Sequence, residues 1–219
     1  MRWVTLFVVL ISAIFAVAVW ALDTVAEPAG EDETVSESAG KEREVPQSRG
    51  GRDMVGAPLD LGGLAWLNTE DVAPVGVEGK VTLVRWWTET CPYCAGSLPA
   101  IDTLRERYGD DGLQTVAVYH AKPPRPVDDA DVLEKAKAFG YKGIVAKDAN
   151  WAVLKREYLL EKRRSATSVA FILDGEGVVR FVHPGPAFWP SDDPGDGAVD
   201  QDYREVEEAV QALVAELES

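Results

Sequence analysis

The stretch from Val81 to Trp87 (VTLVRWW) is dominated by β-branched and aromatic residues and reads as a buried strand. The chain runs straight from it into a helical pattern, about Cys94 to Tyr108, with Leu98, Ile101, Leu104 and Tyr108 on one face. A buried strand feeding an amphipathic helix confines the fold to the layered α/β classes. The alternation continues. Gln114 to Tyr119 is a second strand and Ala130 to Phe139 an amphipathic helix. Ile144 to Ala146 is a short apolar segment, and a helix carrying Trp151, Leu154 and Tyr158 follows. Val169 to Leu173 and Val178 to Val182 flank the turn Asp174-Gly175-Glu176-Gly177, a hairpin signal, and Tyr203 to Leu217 closes the chain as a helix. The order β-α-β-α-(β)-α-β-β-α fits a central mixed sheet flanked by helices, its last two strands antiparallel and the others joined by right-handed crossovers.

Two segments precede this region. Val4 to Leu22 is a 19-residue apolar run interrupted only by Thr5 and Ser12; at about 1.5 Å per residue it reaches roughly 28 Å, close to a hydrocarbon core. Arg2 lies before it and acids follow it, so the positive-inside bias places the body outside the cytoplasm. Residues 1–22 are therefore a signal anchor or a cleaved signal peptide. The expected location is the cell inner membrane, single-pass, with the C-terminal domain in the periplasm or outside, or the secreted or periplasmic space after cleavage. Residues 23–54 carry nine acids against four bases and few large apolar side chains, the composition of a disordered acidic linker. Residues 55–219, about 165 of them, suffice for one domain with its own core. The whole chain has 22 Lys and Arg against 37 Asp and Glu, net −15, which argues against a nucleic-acid partner.

The only cysteines are Cys91 and Cys94, which excludes a disulfide framework and assigns all thiol chemistry to one CxxC pair. The pair lies just past the carboxyl end of the Val81 to Trp87 strand and opens the next helix. Unpaired N–H groups and a partial positive charge at a helix start stabilise a thiolate. Cys91 is thus the expected nucleophile, and Cys94 resolves the mixed disulfide. Pro92 stiffens the loop and Tyr93 gives it an apolar rim. A structural disulfide closing so short a loop is an inefficient staple. A zinc half-site lacks further ligands, because His120 and His183 are far apart without ligand spacing. Neither a metal nor another cofactor is implied.

The stretch LVRWWTETCPYCAGSLPAIDTL resembles the active-site segment of the TlpA/ResA-like thiol-disulfide oxidoreductases, membrane-tethered members of the thioredoxin superfamily. Trp87, the CxxC and Pro99 carry the match, and FILDGEGVVRFVHPG is similar to the family's strand, turn and strand. The resemblance covers roughly Val55 to Leu217. It implies a thioredoxin-like fold that exchanges disulfides with exported proteins, served by a membrane or periplasmic redox partner. It also places three departures. Ser168, in Thr167-Ser168-Val169, stands where the family carries a cis-proline facing the cysteines, so Thr167 and Ser168 belong to the substrate-binding environment. Arg85 aligns with a buried acid. A cation facing the thiols would lower the Cys91 pKa, but the favoured reading has Arg85 pointing outward or paired with an acid. Thr90 replaces an aromatic before the first cysteine.

The Pro92-Tyr93 dipeptide, as in glutaredoxins, points to a potential more oxidising than thioredoxin's, which is about −270 mV. Lys155, Arg156, Lys162, Arg163 and Arg164 form a basic cluster, read first as a solvated helix face. His120 and His183 are expected in core or surface roles. Two other functions compete with oxidoreductase chemistry. Thr88-Glu89-Thr90-Cys91 reproduces part of the peroxiredoxin motif, with Val84 and Ser168 where that family has proline and arginine, and suggests a thiol peroxidase. A non-catalytic thioredoxin-fold binding module is the other.

Overall fold

The computed structural model describes residues 43–69, 79–159 and 164–218. The expected leader, most of the expected linker, and Lys162 and Arg163 lie outside the described residues. Among those that are described, no helix is long and apolar enough to cross a membrane.

Six strands form one mixed sheet: β1 (Ala65–Trp66), β2 (Val81–Trp87), β3 (Leu113–Tyr119), β4 (Ile144–Lys147), β5 (Ala170–Leu173) and β6 (Val179–His183). Their spatial order is β1-β4-β3-β2-β5-β6. β2, β3 and β4 run parallel, while β1, β5 and β6 are each antiparallel to their neighbours. All seven residues of β2 are buried, which is why its sequence is largely apolar, broken only by Thr82 and Arg85, rather than an alternation of apolar and polar residues. Its side chains still alternate between two cores. Val81, Leu83 and Trp87 enter the layer shared with the helices α1 (Cys94–Tyr108), α2 (Asp129–Ala138) and α4 (Gly197–Leu217). Val84 and Trp86 enter the opposite layer, with Met54, Leu59, Leu61, Val153, Leu154 and Tyr158. Arg85 shares the parity of Leu83 and Trp87, so the period of two points it toward α1.

The fold differs from the sequence reading in four places. β1 is only two residues long and exists through its pairing with β4, leaving no periodic trace. The helix expected around Trp151 is broken into a 3₁₀ turn Ala149–Trp151, a short α-helix α3 (Ala152–Leu154) and a π-type turn Lys155–Leu159. Buried Asp148 explains the arrangement: its carboxylate accepts from the N–H groups of Val153 (3.0 Å) and Leu154 (2.8 Å) and from Trp86 Nε1 (3.1 Å). Asn150 and Trp151 adopt φ of 56° and 62°, an unusual backbone held in part by Trp151 Nε1 donating to the Ala121 carbonyl (2.6 Å). α4 begins six residues before Tyr203, directly after the turn Pro194–Asp196, where Asp193 accepts from Gly195 N.

The fourth difference concerns the linker, expected to run to Met54. Residues 43–54 instead lie on the domain. Val45 packs against the α1/α4 core, Ser48 is buried and accepts from Val182 N (2.8 Å), and Arg49 pairs with Asp202 (2.6 Å) and Glu205. Gly51 has φ 70° and lies so close to Val182 that a Cβ would fall 2.6 Å from its Cγ1. A polar composition concealed this docking because its anchors are hydrogen bonds, the Arg49 ion pairs and two isolated apolar side chains, Val45 and Met54.

Candidate active site

Cys91 follows the end of β2 through a turn in which its N–H donates to the Thr88 carbonyl (3.2 Å), and Cys94 is the first residue of α1. The loop borders a cavity of about 410 Å³ lined by Thr88, Cys91, Tyr93, Lys122, Thr167, Ser168 and Pro186, among others. Cys91 is half-buried and Cys94 enclosed; both are free thiols. Tyr93 is 49% exposed, an apolar rim beside Cys91. Pro92 also lines the cavity, and neither Trp87 nor Arg85 reaches it.

The two sulfurs share one hydroxyl. Ser168 Oγ lies 3.6 Å from Cys94 Sγ and donates toward Cys91 Sγ at 3.9 Å. The Cys91 pKa is lowered to about 5, chiefly by the Cys94 thiol, with the Cys94 N–H, the Ser168 hydroxyl and the Tyr93 N–H adding to it against the opposing effect of burial. Cys94 moves the other way. The neighbouring Cys91 sulfur and burial raise its pKa well above the usual thiol range, and Arg85 partly opposes them. The pair therefore titrates as a unit that retains one proton across the neutral range.

Arg85 corrects the sequence reading. It is fully buried and, among the described residues, pairs with no acid; its guanidinium donates to the carbonyls of Ser168 (3.1 Å), Gly185 (2.9 Å) and Pro186 (2.6 Å) and to the Ser97 hydroxyl (3.3 Å). Its carbon lies 5.0 Å from the Phe188 ring centre. Burial lowers its pKa, while Cys94 and then Cys91 raise it; a guanidinium stays protonated throughout. Ser97, one turn after Cys94, was the partner that helical spacing could have suggested. The three carbonyls come from distant segments and left no such signal.

Trp87 supports the loop from beneath. It belongs to the core that holds Cys94, with its ring 5.1 Å from Tyr119 and 5.7 Å from Phe139. Thr88 directs its hydroxyl to Glu89 (3.0 Å) and toward Thr90 (3.5 Å) rather than to Cys91, and Ser168 presents a hydroxyl where a peroxidase reading needs a guanidinium. The described members of the basic cluster turn away from the sulfurs. Lys155 donates to the Asn150 carbonyl (3.0 Å), Arg156 pairs with Asp60 and Glu157, and Arg164 pairs with Asp53.

The histidines are buried. His120 packs edge-on against Trp151 at 5.1 Å and its pKa falls to about 4, first through burial and then through Lys122. His183 has the partner that sequence spacing did not show: Nε2 lies 3.0 Å from Asp202 Oδ2 and Nδ1 lies 3.1 Å from the Gly185 carbonyl.

The Redoxin family model matches residues 65–196. Protein DipZ of Mycobacterium tuberculosis is 26% identical over 131 residues, spanning 58% of this chain and 18% of DipZ. The thiol-disulfide oxidoreductase YkuV of Bacillus subtilis is 36% identical over 67 residues, spanning 31% of this chain and 43% of its own. The chain thus matches less than half the length of either relative. Among solved structures, a thiol-disulfide isomerase from Corynebacterium glutamicum superposes with TM-score 0.51 at 20% identity, over 63% of this chain and 89% of that one. A Bacteroides thetaiotaomicron protein does so with TM-score 0.56 at 13% identity, over 74% of this chain and 90% of that one. These likenesses show the fold, which is thioredoxin-like.

Proposed function

The chain belongs to the Redoxin family, and on that premise we propose that it is a thiol-disulfide oxidoreductase exchanging disulfides with exported proteins. One observation carries this reading: two free cysteines at the start of α1, in an open cavity, share the Ser168 hydroxyl, and the more accessible sulfur is the more acidic. Cys91 thiolate attacks a substrate disulfide, forming a Cys91–substrate bond and releasing one substrate thiolate. Cys94 then forms the Cys91–Cys94 disulfide and releases the second. In the opposite direction a substrate dithiol takes the disulfide apart by the same two displacements. Stabilising the Cys91 thiolate stabilises the reduced protein, which supports a potential less negative than thioredoxin's value of about −270 mV.

Location belongs to the same proposal. The apolar run Val4 to Leu22, with Arg2 before it and acids after it, supports an inner-membrane anchor or export signal with the cysteines on the far side of the membrane. A membrane or periplasmic redox partner would restore the pair after each turnover.

The test is a trapping experiment with the full chain. Replacing Cys94→Ala should leave Cys91 able to form a mixed disulfide with a protein substrate and unable to release it, whereas Cys91→Ser should form none. A Cys94→Ala protein that forms no mixed disulfide would return the chain to the binding-module reading. Labelling with a membrane-impermeant thiol reagent, after reduction with an impermeant phosphine, in intact cells with a permeabilised outer envelope reads the location; protection of Cys91 there refutes export.

A further inference from the structure

Arg85 is a charge without a counter-charge in its first contacts. Among the described residues its four hydrogen-bond acceptors are neutral: the Ser168, Gly185 and Pro186 carbonyls and the Ser97 hydroxyl. A buried ion held only by dipoles is unfavourable unless an opposite charge lies close by. The guanidinium sits on the face of β2 that meets α1, and it grips both residues that frame Cys94: Ser97, three residues along α1, and Ser168, whose hydroxyl touches both sulfurs. The groups of opposite sign that act on it are the cysteines, Cys94 before Cys91.

We propose that Arg85 is the counter-ion of the active-site thiolates and the positioning residue that lets buried Cys94 act as a nucleophile, a role that rests on the exchange reading above. In the mixed disulfide Cys91 carries no charge, so the charge that Arg85 faces must form on Cys94. Cys94 gives its proton to water. Its sulfur then attacks Cys91 Sγ, the Cys91–Cys94 bond forms and the Cys91–substrate bond breaks. The electron pair leaves on the substrate sulfur, which takes a proton from water. Two electrons have passed from the dithiol to the substrate. No protein base is needed, because the fixed cation lowers the energy of the thiolate instead of removing the proton.

The other ionisable groups around this centre are occupied. Glu89, in the loop before Cys91, accepts from Tyr119 (2.8 Å), Thr88 and Arg125. Asp202, on α4, accepts from His183 and pairs with Arg49. Burial first, with Arg85 among the smaller causes, lowers the pKa of His183 on β6 and that of His120 after β3, the latter to about 4. Lys122 lines the same cavity as Cys91.

Two substitutions separate charge from shape. Arg85→Lys keeps the cation and loses the fork of hydrogen bonds, whereas Arg85→Gln loses the cation and keeps polar contacts. Each is made in the full chain, alone and in a Cys91→Ser background where Cys94 is the sole thiol. Thiolate absorbance against pH reads the Cys94 titration, and equilibration with glutathione reads the redox equilibrium of the protein with both cysteines. Arg85→Gln should reduce the Cys94 thiolate fraction at least tenfold at a given pH. It should also move the redox equilibrium about tenfold toward the disulfide, about 30 mV. Arg85→Lys should stay within about threefold of the parent on both.

The proposal is overturned if Arg85→Gln leaves both readouts within threefold of the parent, or if Arg85→Lys shifts them as far as Arg85→Gln. Should Arg85→Gln fail to fold, Arg85→Met, which fills much the same space without a charge, replaces it in both readouts and is judged by the same two outcomes. Failure of the exchange reading is distinct: Cys94→Ala would then form no mixed disulfide, whatever the Cys94 titration shows.

Discussion

The redox potential of the cysteine pair should depend on pH with half the ordinary slope. Reducing a disulfide to two neutral thiols takes up two electrons and two protons. Here Cys91 titrates at about 5 and Cys94 above the usual thiol range, so between those limits the reduced pair binds one proton. One proton makes the equilibrium constant tenfold per pH unit, which for a two-electron couple is about 30 mV; two protons make it about 59 mV. The plot of potential against pH should therefore run at about 30 mV per unit through neutrality and steepen to about 59 mV per unit below pH 5. Equilibration against dithiothreitol and glutathione with acid quenching and thiol trapping measures it. A slope of about 59 mV per unit from pH 6 to 8 would refute the assignment of a thiolate to Cys91.

Stability carries the same signature. The folded Cys91 pKa lies below the unfolded value, so its contribution to the reduced protein is complete above the unfolded thiol's pKa, about 8.5, and is lost as pH falls through 5. Cys94, with a raised pKa, contributes below the unfolded value and loses that contribution only as pH rises through its own high pKa. Its contribution is constant in the lower window. The disulfide form has neither contribution, so the reduced protein should lose stability relative to the oxidised one between pH 8 and 5, read as a fall of its unfolding midpoint against that of the oxidised protein.

Three further outcomes are expected. Ser168→Ala removes one hydrogen bond to Cys91 and should raise its alkylation midpoint, by less than Cys94→Ala does, because the Cys94 thiol is the larger influence; an unchanged midpoint would show that the hydroxyl is a bystander. His120 has a folded pKa of about 4 against an unfolded value of about 6.5, so the unfolded state binds the extra proton and stability falls as pH drops through that window. The loss approaches 3 kcal/mol, on the order of the shift times 1.36 kcal/mol per unit. His120→Phe in the oxidised protein should flatten that acid limb in urea unfolding, and an unaltered limb would assign it elsewhere. Gly96→Ala would place a Cβ 2.6 Å from Trp189 Cε3 and should lower stability; overpacking of this kind costs about 1–3 kcal/mol, and thermal unfolding at parent stability would contradict the close packing.

The parts legible in the sequence are those that local periodicity dictates. β2, α1 and the β5–β6 hairpin lie where their patterns place them, because an apolar run, a helical stripe and an Asp-Gly turn depend on neighbours a few residues away. The cysteines and Ser168 meet as the resemblance implied. Arg85 did not yield to the same reasoning. Its burial depends on carbonyls contributed by residues 168, 185 and 186, and a carbonyl leaves no mark on the identity of the residue that bears it. β1 and the docked segment 43–54 escaped for a similar reason: each is held by pairing with distant strands, with too little apolar surface of its own to show a period.

That docked segment has a consequence for how the protein behaves in a test tube. β6 ends the sheet, and an open strand edge is a template for pairing with another molecule. Here residues 48–59 occupy it: Val182 N donates to Ser48, Gly56 N to the Val179 carbonyl, Val179 N to Ala57 and Leu59 N to Gly177. A protein trimmed at Val55, where composition alone would put the start of the domain, keeps both cysteines and loses the cover over Val182. Such a shortened form should self-associate at concentrations where the full chain stays dispersed, and its thiols would still react normally while it did so.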